Sequence, residues 1–163
     1  MLDHLKDKIH SFQSAAQQCR EWQSKGEKIV FTNGCFDLLH YGHIHYLNQA
    51  RMLGNRLVVG LNSDTSVRRL KGVHRPIKDE QCRIFTMAAL ACVDSVVVFE
   101  EDTPYDLIKT VQPDILVKGG DWAVEDIVGA DLVLAKGGLV KSLTFVKGFS
   151  TTSLEEKIKK QSK

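Results

Sequence analysis

Apolar residues recur at helical steps near the start of the chain: Leu5, Ile9, Phe12, Ala16, Cys19 and Trp22. The spacing predicts one helix over residues 3–25, stopped at Gly26. After it, short apolar runs alternate with helical patterns. Residues 29–31 read as a strand. The helix over 41–53 follows, with Ile44, Leu47, Ala50 and Leu53 on one stripe and Gly54 at its end. Residues 57–61 read as a strand, and 63–70 as a helix with Ser63 as N-cap. A basic loop over 71–78 leads to a helix over 79–91. Residues 93–99 form a continuous apolar strand, and Thr103 and Pro104 open another helix. Three further strands are expected over 115–117, 132–135 and 140–145, the last at a sheet edge. A charged helix over 152–160 closes the pattern. Continuous apolar strands between helices imply an α/β fold, a mostly parallel sheet of five or six strands with helices on both faces.

In such a sheet, ligands gather beyond the carboxyl ends of strands. The Thr32–Cys35 turn, the Asn62-Ser63-Asp64 turn and the segment from Lys118 to Trp122 all follow strands. Element order alone therefore puts them on one rim.

Composition narrows the picture. At 163 residues and 43% hydrophobic, residues 1–163 are expected to form one domain with a sizeable core. A formal charge of +2 gives no argument for nucleic-acid binding. No run of 18 apolar residues suggests a membrane span, and the polar N-terminus is unlike a secretory signal. Cys19, Cys35, Cys82 and Cys92 show no CxxC spacing and read as free thiols in a reducing cytoplasm. The stripe of Ile9, Phe12 and Trp22 exceeds what a helix at a domain edge needs, so a homodimer is expected. No P-loop, dinucleotide fingerprint or nucleophile elbow occurs.

The richest segment is the Thr32-Asn33-Gly34-Cys35-Phe36 turn and the His40-Tyr41-Gly42-His43 tetrapeptide that follows. Two imidazoles lie where a helix begins after a buried strand, among free N–H groups and the positive end of the helix dipole. That is a place for phosphate. Cys35, His40, His43 and His45 also allow a zinc reading, and the imidazoles could simply be surface groups. Arg68, Arg69, Lys71, His74, Arg75, Lys78 and Arg83 make a cationic stretch, read either as a clamp over anions or as a solvated face. Lys118, Gly119 and Gly120 permit close approach of a base. Asp121 can accept from ribose or base groups, and Trp122 offers a stacking face or a packing surface. Ser150, Thr151 and Thr152 lie at a helix start, as a phosphate cradle or as plain N-caps. Asp37 can hold the His-bearing turn.

These blocks, in this order, resemble the HxGH nucleotidyltransferases of the cytidylyltransferase-like superfamily, over roughly residues 22–160. Within it the wording is most similar to the adenylyltransferase domain of ADP-heptose synthases. The resemblance implies a Rossmann-like nucleotidyltransferase fold, with His40 and His43 on the α- and β-phosphates of ATP and Lys71 as a third catalytic group. It implies nucleotide contacts from Thr32, Asn33, Gly34, Cys35, Phe36, Lys118, Gly119, Asp121, Ser150, Thr151 and Thr152. Arg75, Arg83 and Asp64 fall on positions facing the second substrate. Phe145 stands where the glycerol-phosphate cytidylyltransferase branch carries an arginine, which suits the heptose branch. Mg²⁺ is expected only as it arrives on ATP, with no protein-held metal. The implied reaction transfers AMP to D-glycero-β-D-manno-heptose 1-phosphate for lipopolysaccharide core synthesis. With no kinase sequence present, the stand-alone form is expected. A glycerol-3-phosphate cytidylyltransferase and a non-catalytic nucleotide-binding module stay open as alternatives.

Overall fold

The computed structural model describes residues 2–161, without the side chains of residues 152, 153 and 159. In chain order the elements are α1 (Asp3–Lys6), β1 (Ile9–His10), α2 (Phe12–Ser24), β2 (Ile29–Gly34), α3 (Tyr41–Arg51), β3 (Arg56–Asn62) and α4 (Asp64–Lys71). They continue with α5 (Glu80–Ala88), β4 (Ser95–Phe99), α6 (Tyr105–Val111), β5 (Ile115–Gly119), a 3₁₀ turn (Val124–Asp126), α7 (Ala130–Ala135), β6 (Leu139–Leu143) and α8 (Thr151–Gln161).

The six strands form one sheet in the order β1-β4-β3-β2-β5-β6, and every neighbouring pair is parallel. Side chains alternate along each strand, so a buried parallel strand feeds two cores. Ile29 and Phe31 join Ala15, Cys19, Leu107 and Val133 on the face covered by α2, α6 and α7. Val30 joins Leu47, Ala50, Met87 and Ala88 on the face covered by α3 and α5. The α/β reading, with helices on both faces, holds.

Strand order reverses at β2, whose neighbours are β3 on one side and β5 on the other. The switch point therefore opens between the ends of β2 and β5, where Asn33 to Cys35 meet Lys118 and Gly119.

Two expectations fail. The helix over 3–25 is broken into α1, β1 and α2. Ser11 and Ser14 form a reciprocal capping box that starts α2 afresh. Ahead of it, Ile9 pairs with Val96 and the Val96 amide donates to the Lys8 carbonyl at 2.7 Å, so the segment extends the sheet. Phe12, Trp22 and Ile9 pack on the cores of their own chain. The stripe that suggested a dimer is thereby used internally, and the argument for a homodimer goes with it. The strand expected over 132–135 is instead the helix α7. Gly129, at φ 86°, turns the chain into it, and Ala130 and Val133 are buried three residues apart. Among the described residues, no helix is long and apolar enough to cross a membrane.

Candidate active site

The chain leaves β2 through a tight turn in which Phe36 takes a left-handed backbone (φ 44°) and reaches His40 in extended conformation at the N-cap of α3. His40 makes no side-chain capping bond, so its imidazole is not spent on the helix. It folds back over the first turn instead. A Cβ on Gly42 would lie 3.1 Å from the His40 ring and 3.2 Å from the Phe149 Cβ, so glycine makes room for both. The His40 and His43 rings stack with centroids 3.9 Å apart, and Phe36 meets His43 edge-on at 5.5 Å. The Nδ1 atoms of His40, His43 and His45 are buried with no hydrogen-bond partner among the described residues.

Burial pushes the His43 pKa down to about 4, and the positive fields of His40 and Lys71 add to this. Burial also lowers that of His40. Both shifts favour the neutral imidazole over the imidazolium. Among the described residues, no group of three or more His, Cys, Asp or Glu side chains is placed to hold a metal ion, which removes the zinc reading of Cys35 with the three histidines.

Two chambers open at the switch point. The first, of about 190 Å³, is walled by Phe36, His43, Tyr46, Gly119, Phe145 and Thr151. Phe145 lies over the end of β5 because residue 119 has no side chain: a Cβ there would sit 2.5 Å from its ring. The second, of about 340 Å³, is walled by Asn62, Asp102, Thr103, Trp122, Asp126 and Ile127. Asn33, Gly34, Cys35, Lys71 and Lys118 line both. The two cations differ. Lys71 ends α4 and is exposed. Lys118 projects from β5, is half-buried, and donates to Asn33 Oδ1 at 3.4 Å. Burial lowers its pKa, opposed only by the nearby Cys35 thiol.

Several residues expected at the site lie elsewhere. Thr32 is fully buried, and its hydroxyl pairs with the Tyr46 hydroxyl at 2.6 Å. Tyr46 also donates to the Val117 carbonyl, so this pair ties α3 to β2 and β5. Arg83 is fully buried and donates to the carbonyls of Cys35 and Asn62 and to Asp64 Oδ1, each at 2.8 Å. It clamps the ends of β2 and β3 together and lines neither chamber, and nor does Asp64. Arg75 donates to Asp37 Oδ2 at 2.7 Å and to Glu155 on α8. It too is absent from both chamber walls.

Asp37 also accepts from the amides of Ile77 and Lys78, which fastens the basic loop to the His-bearing turn. Burial alone would raise its pKa; the Lys78 and Ile77 amides and the Arg75 guanidinium outweigh that and hold the carboxyl below the usual range. Asp121 meets the Thr144 hydroxyl at 3.5 Å, outside the chambers. Ser150 is exposed just before α8. The side chain of Thr152 lies outside the described residues. Of the cationic stretch only Lys71 lines the chambers; Arg68 pairs with Asp64, and Arg69 with Asp102.

Of the second chamber's own lining, Asn62 and Trp122 were legible in the sequence, whereas Asp102, Thr103, Asp126 and Ile127 were missed as site residues. Thr103 and Pro104 were read only as helix openers, although they follow β4 on the same rim where Cys35 follows β2. The strand-end rule would have flagged them. Asp126 and Ile127 lie in a 3₁₀ turn region with no periodic signal.

A model of the cytidylyltransferase-like family matches residues 31–155. The bifunctional protein HldE of Magnetococcus marinus is 54% identical over 155 residues, 95% of this chain and 32% of that protein. HldE of Syntrophotalea carbinolica is 59% identical over 134 residues, 82% of this chain and 27% of that protein. The chain thus spans about a third of the length of these curated relatives. The crystal structure of the lipopolysaccharide core biosynthesis protein from Thermoplasma volcanium superposes with a TM-score of 0.60 at 34% identity, covering 76% of this chain and 100% of that one. With its family match, its parallel sheet and its stacked histidines at the switch point, the chain belongs to the cytidylyltransferase-like family.

Proposed function

We propose that the chain is an adenylyltransferase. It moves AMP from ATP to D-glycero-β-D-manno-heptose 1-phosphate, releasing pyrophosphate and forming ADP-heptose for lipopolysaccharide core synthesis. The observation that carries this reading is the pair of chambers sharing a wall of Asn33, Gly34, Cys35, Lys71 and Lys118. A reaction that joins two phosphorylated substrates needs two sites that meet, with cations where they meet. The identity to HldE proteins supports the choice of nucleotide and sugar, and the named role of the Thermoplasma volcanium protein supports the pathway.

In this reading the first chamber takes the triphosphate and the second takes the sugar phosphate. Asp102, Asp126 and Trp122 suit a polyol, with carboxylates for hydroxyls and an indole face for the ring. An oxygen of the acceptor phosphate attacks the α-phosphorus in line. The bond from the α-phosphorus to the bridging oxygen breaks, and pyrophosphate leaves with the electron pair. The acceptor phosphate is mostly dianionic at neutral pH, with a second pKa of about 6, so no general base is needed. The chain's work is positioning and charge stabilisation. His43, in the wall of the first chamber, and His40, stacked on it, donate to the phosphates next to the amides of the first turn of α3. Mg²⁺ arrives on the triphosphate, its ligands being phosphate oxygens and water. ATP and reduced thiols suit a cytoplasmic setting.

The test is a pyrophosphate-release screen of ATP, CTP and GTP against heptose, glycerol and ethanolamine phosphates. Release with ATP and the heptose phosphate is expected. Absence of release with every pair would overturn the assignment to catalysis.

A further inference from the structure

Among the described residues, Lys118 is the one cation that is both half-buried and shared by the two chambers. It rises from the end of β5, where the pairing with β2 has already ended at Leu116 and Lys118 stays in register with Ser142 of β6, so one edge of the sheet fixes its position and the other opens onto the chambers. Its only hydrogen bond within the described structure is the long one to Asn33 Oδ1 at 3.4 Å, and it forms no ion pair with any described carboxylate. An ammonium carries three donors. A half-buried positive charge with two idle donors is a cost to the fold unless an anion completes it.

The titratable groups that share its chambers are Cys35 and Asp37 after β2, His43 and Tyr46 of α3, Lys71 of α4, Asp102 before α6 and Asp126 of the 3₁₀ turn. Asp37 is committed to Arg75 and two amides, and Asp102 to Arg69. Neither neutralises Lys118. Lys71 is exposed, and its charge is screened by solvent and salt. The two lysines therefore differ in kind: Lys71 gathers anions from solution, whereas Lys118 meets them after water has been displaced, where charge interactions are strongest.

We propose that Lys118 is a catalytic residue: it holds the attacking phosphate of the acceptor against the α-phosphate of the nucleotide, with one donor for each. This rests on the nucleotidyl-transfer reading and adds to it the group at which the two substrates are joined. Two anions must approach until an oxygen of one bonds to the phosphorus of the other. The charge that opposes this is greatest in the transition state, and a cation on the shared wall acts there more than on either substrate alone. Lys118 acts as the ammonium throughout and transfers no proton. Its burial-lowered pKa then brings the alkaline limb of the rate profile below the ordinary lysine range.

The experiment compares Lys118→Met and Lys118→Arg with the wild type. With both substrates saturating, K118M should lose about 10²–10³-fold in kcat. Its thermal midpoint should equal or exceed that of the wild type, because an uncompensated charge has been replaced by an apolar chain of similar length. K118R should recover part of the rate, and its alkaline limb should disappear because a guanidinium stays charged above pH 12 or so. Glucose 1-phosphate, as a plain sugar-phosphate probe, should raise the thermal midpoint of the wild type and not of K118M. A K118M enzyme turning over within threefold of the wild type would overturn the proposal. So would a lower midpoint for K118M, or equal stabilisation of both proteins by glucose 1-phosphate. A wild type that releases no pyrophosphate while the probe still distinguishes it from K118M would count against the reaction assignment, leaving Lys118 as the anion site.

Discussion

Arg75 spans two elements: one terminal nitrogen donates to the buried Asp37 carboxylate at 2.7 Å, and the other meets Glu155 on α8. Through it the basic loop, the His-bearing turn and the last helix are joined behind the active site. Asp37 holds three partners and Arg75 two, so the two ends of the pair are not equivalent. Asp37→Ala should cost about 3–5 kcal/mol of stability, the usual effect of stripping one partner from a buried ion pair. Arg75→Ala should cost less, about 1–3 kcal/mol, because Asp37 keeps its two amide donors. Urea denaturation of the two variants checks the order; equal losses would show that the amides contribute nothing.

His43→Gln should fold and lose about 10²–10³-fold in kcat. The imidazole is stacked on His40 and walls the first chamber, and its Nδ1 has no partner among the described residues to compete for it. Single-turnover rates with ATP in excess measure this. A rate within threefold of the wild type would remove His43 from the chemistry.

The same residue makes stability pH-dependent. His43 has a folded-state pKa of about 4 against 6.5 for the free group. Between those values the unfolded chain binds more protons than the folded one, so stability rises with pH. The contribution is full above about pH 6.5 and is lost as pH falls toward 4. The lowered carboxyl of Asp37 acts lower still, below its unfolded value of about 3.9, and leaves this window clear. Urea midpoints at pH 7.5 and 4.5 should therefore diverge more for the wild type than for His43→Gln; equal divergence would contradict the burial of the imidazole.

How much of this was legible beforehand varies with the range of the interaction. The strand-end rule located Asn33, Cys35 and Lys118, because apolar runs and the turns after them are local signals. Ile9 and His10 were misread because their partners are Val96 and Val97, far along the chain, and a helical stripe of apolar residues serves equally well as a strand edge followed by a helix. Leu132, Val133 and Leu134 are ambiguous as a short apolar run, and only the packing of Val133 decides for a helix. The arginines show the limit most clearly. Charge is visible in sequence but partners are not: Arg75 meets residues 38 and 80 positions away, and Arg83 is wholly internal. Of the cationic stretch that suggested a phosphate clamp, Arg75 and Arg83 form an internal frame, while Arg68, Arg69, Lys71 and His74 stay exposed.

Gly119 and Phe145 give a local test of the first chamber. Gly119→Ala would place a methyl 2.5 Å from the Phe145 ring, which is half exposed and can swing away. Stability should fall by less than about 1 kcal/mol, since little buried surface is lost. ATP should bind several-fold more weakly, because the displaced ring is part of the chamber wall. In a Phe145→Ala background the same methyl should have almost no further effect, and a double-mutant cycle measures that coupling. Fully additive losses would mean that the ring does not shape the nucleotide site.

The measurement that bears most directly on the whole account is a competition experiment with ATP and CTP at equal concentration, heptose 1-phosphate and glycerol 3-phosphate both present, and the products resolved by mass. The two chambers with their shared cationic wall, the polyol-suited lining of the larger one and Phe145 in the smaller one predict ADP-heptose as the dominant product, with pyrophosphate released in equal amount. A dominant CDP-linked product, or consumption of glycerol 3-phosphate with heptose 1-phosphate untouched, would contradict it.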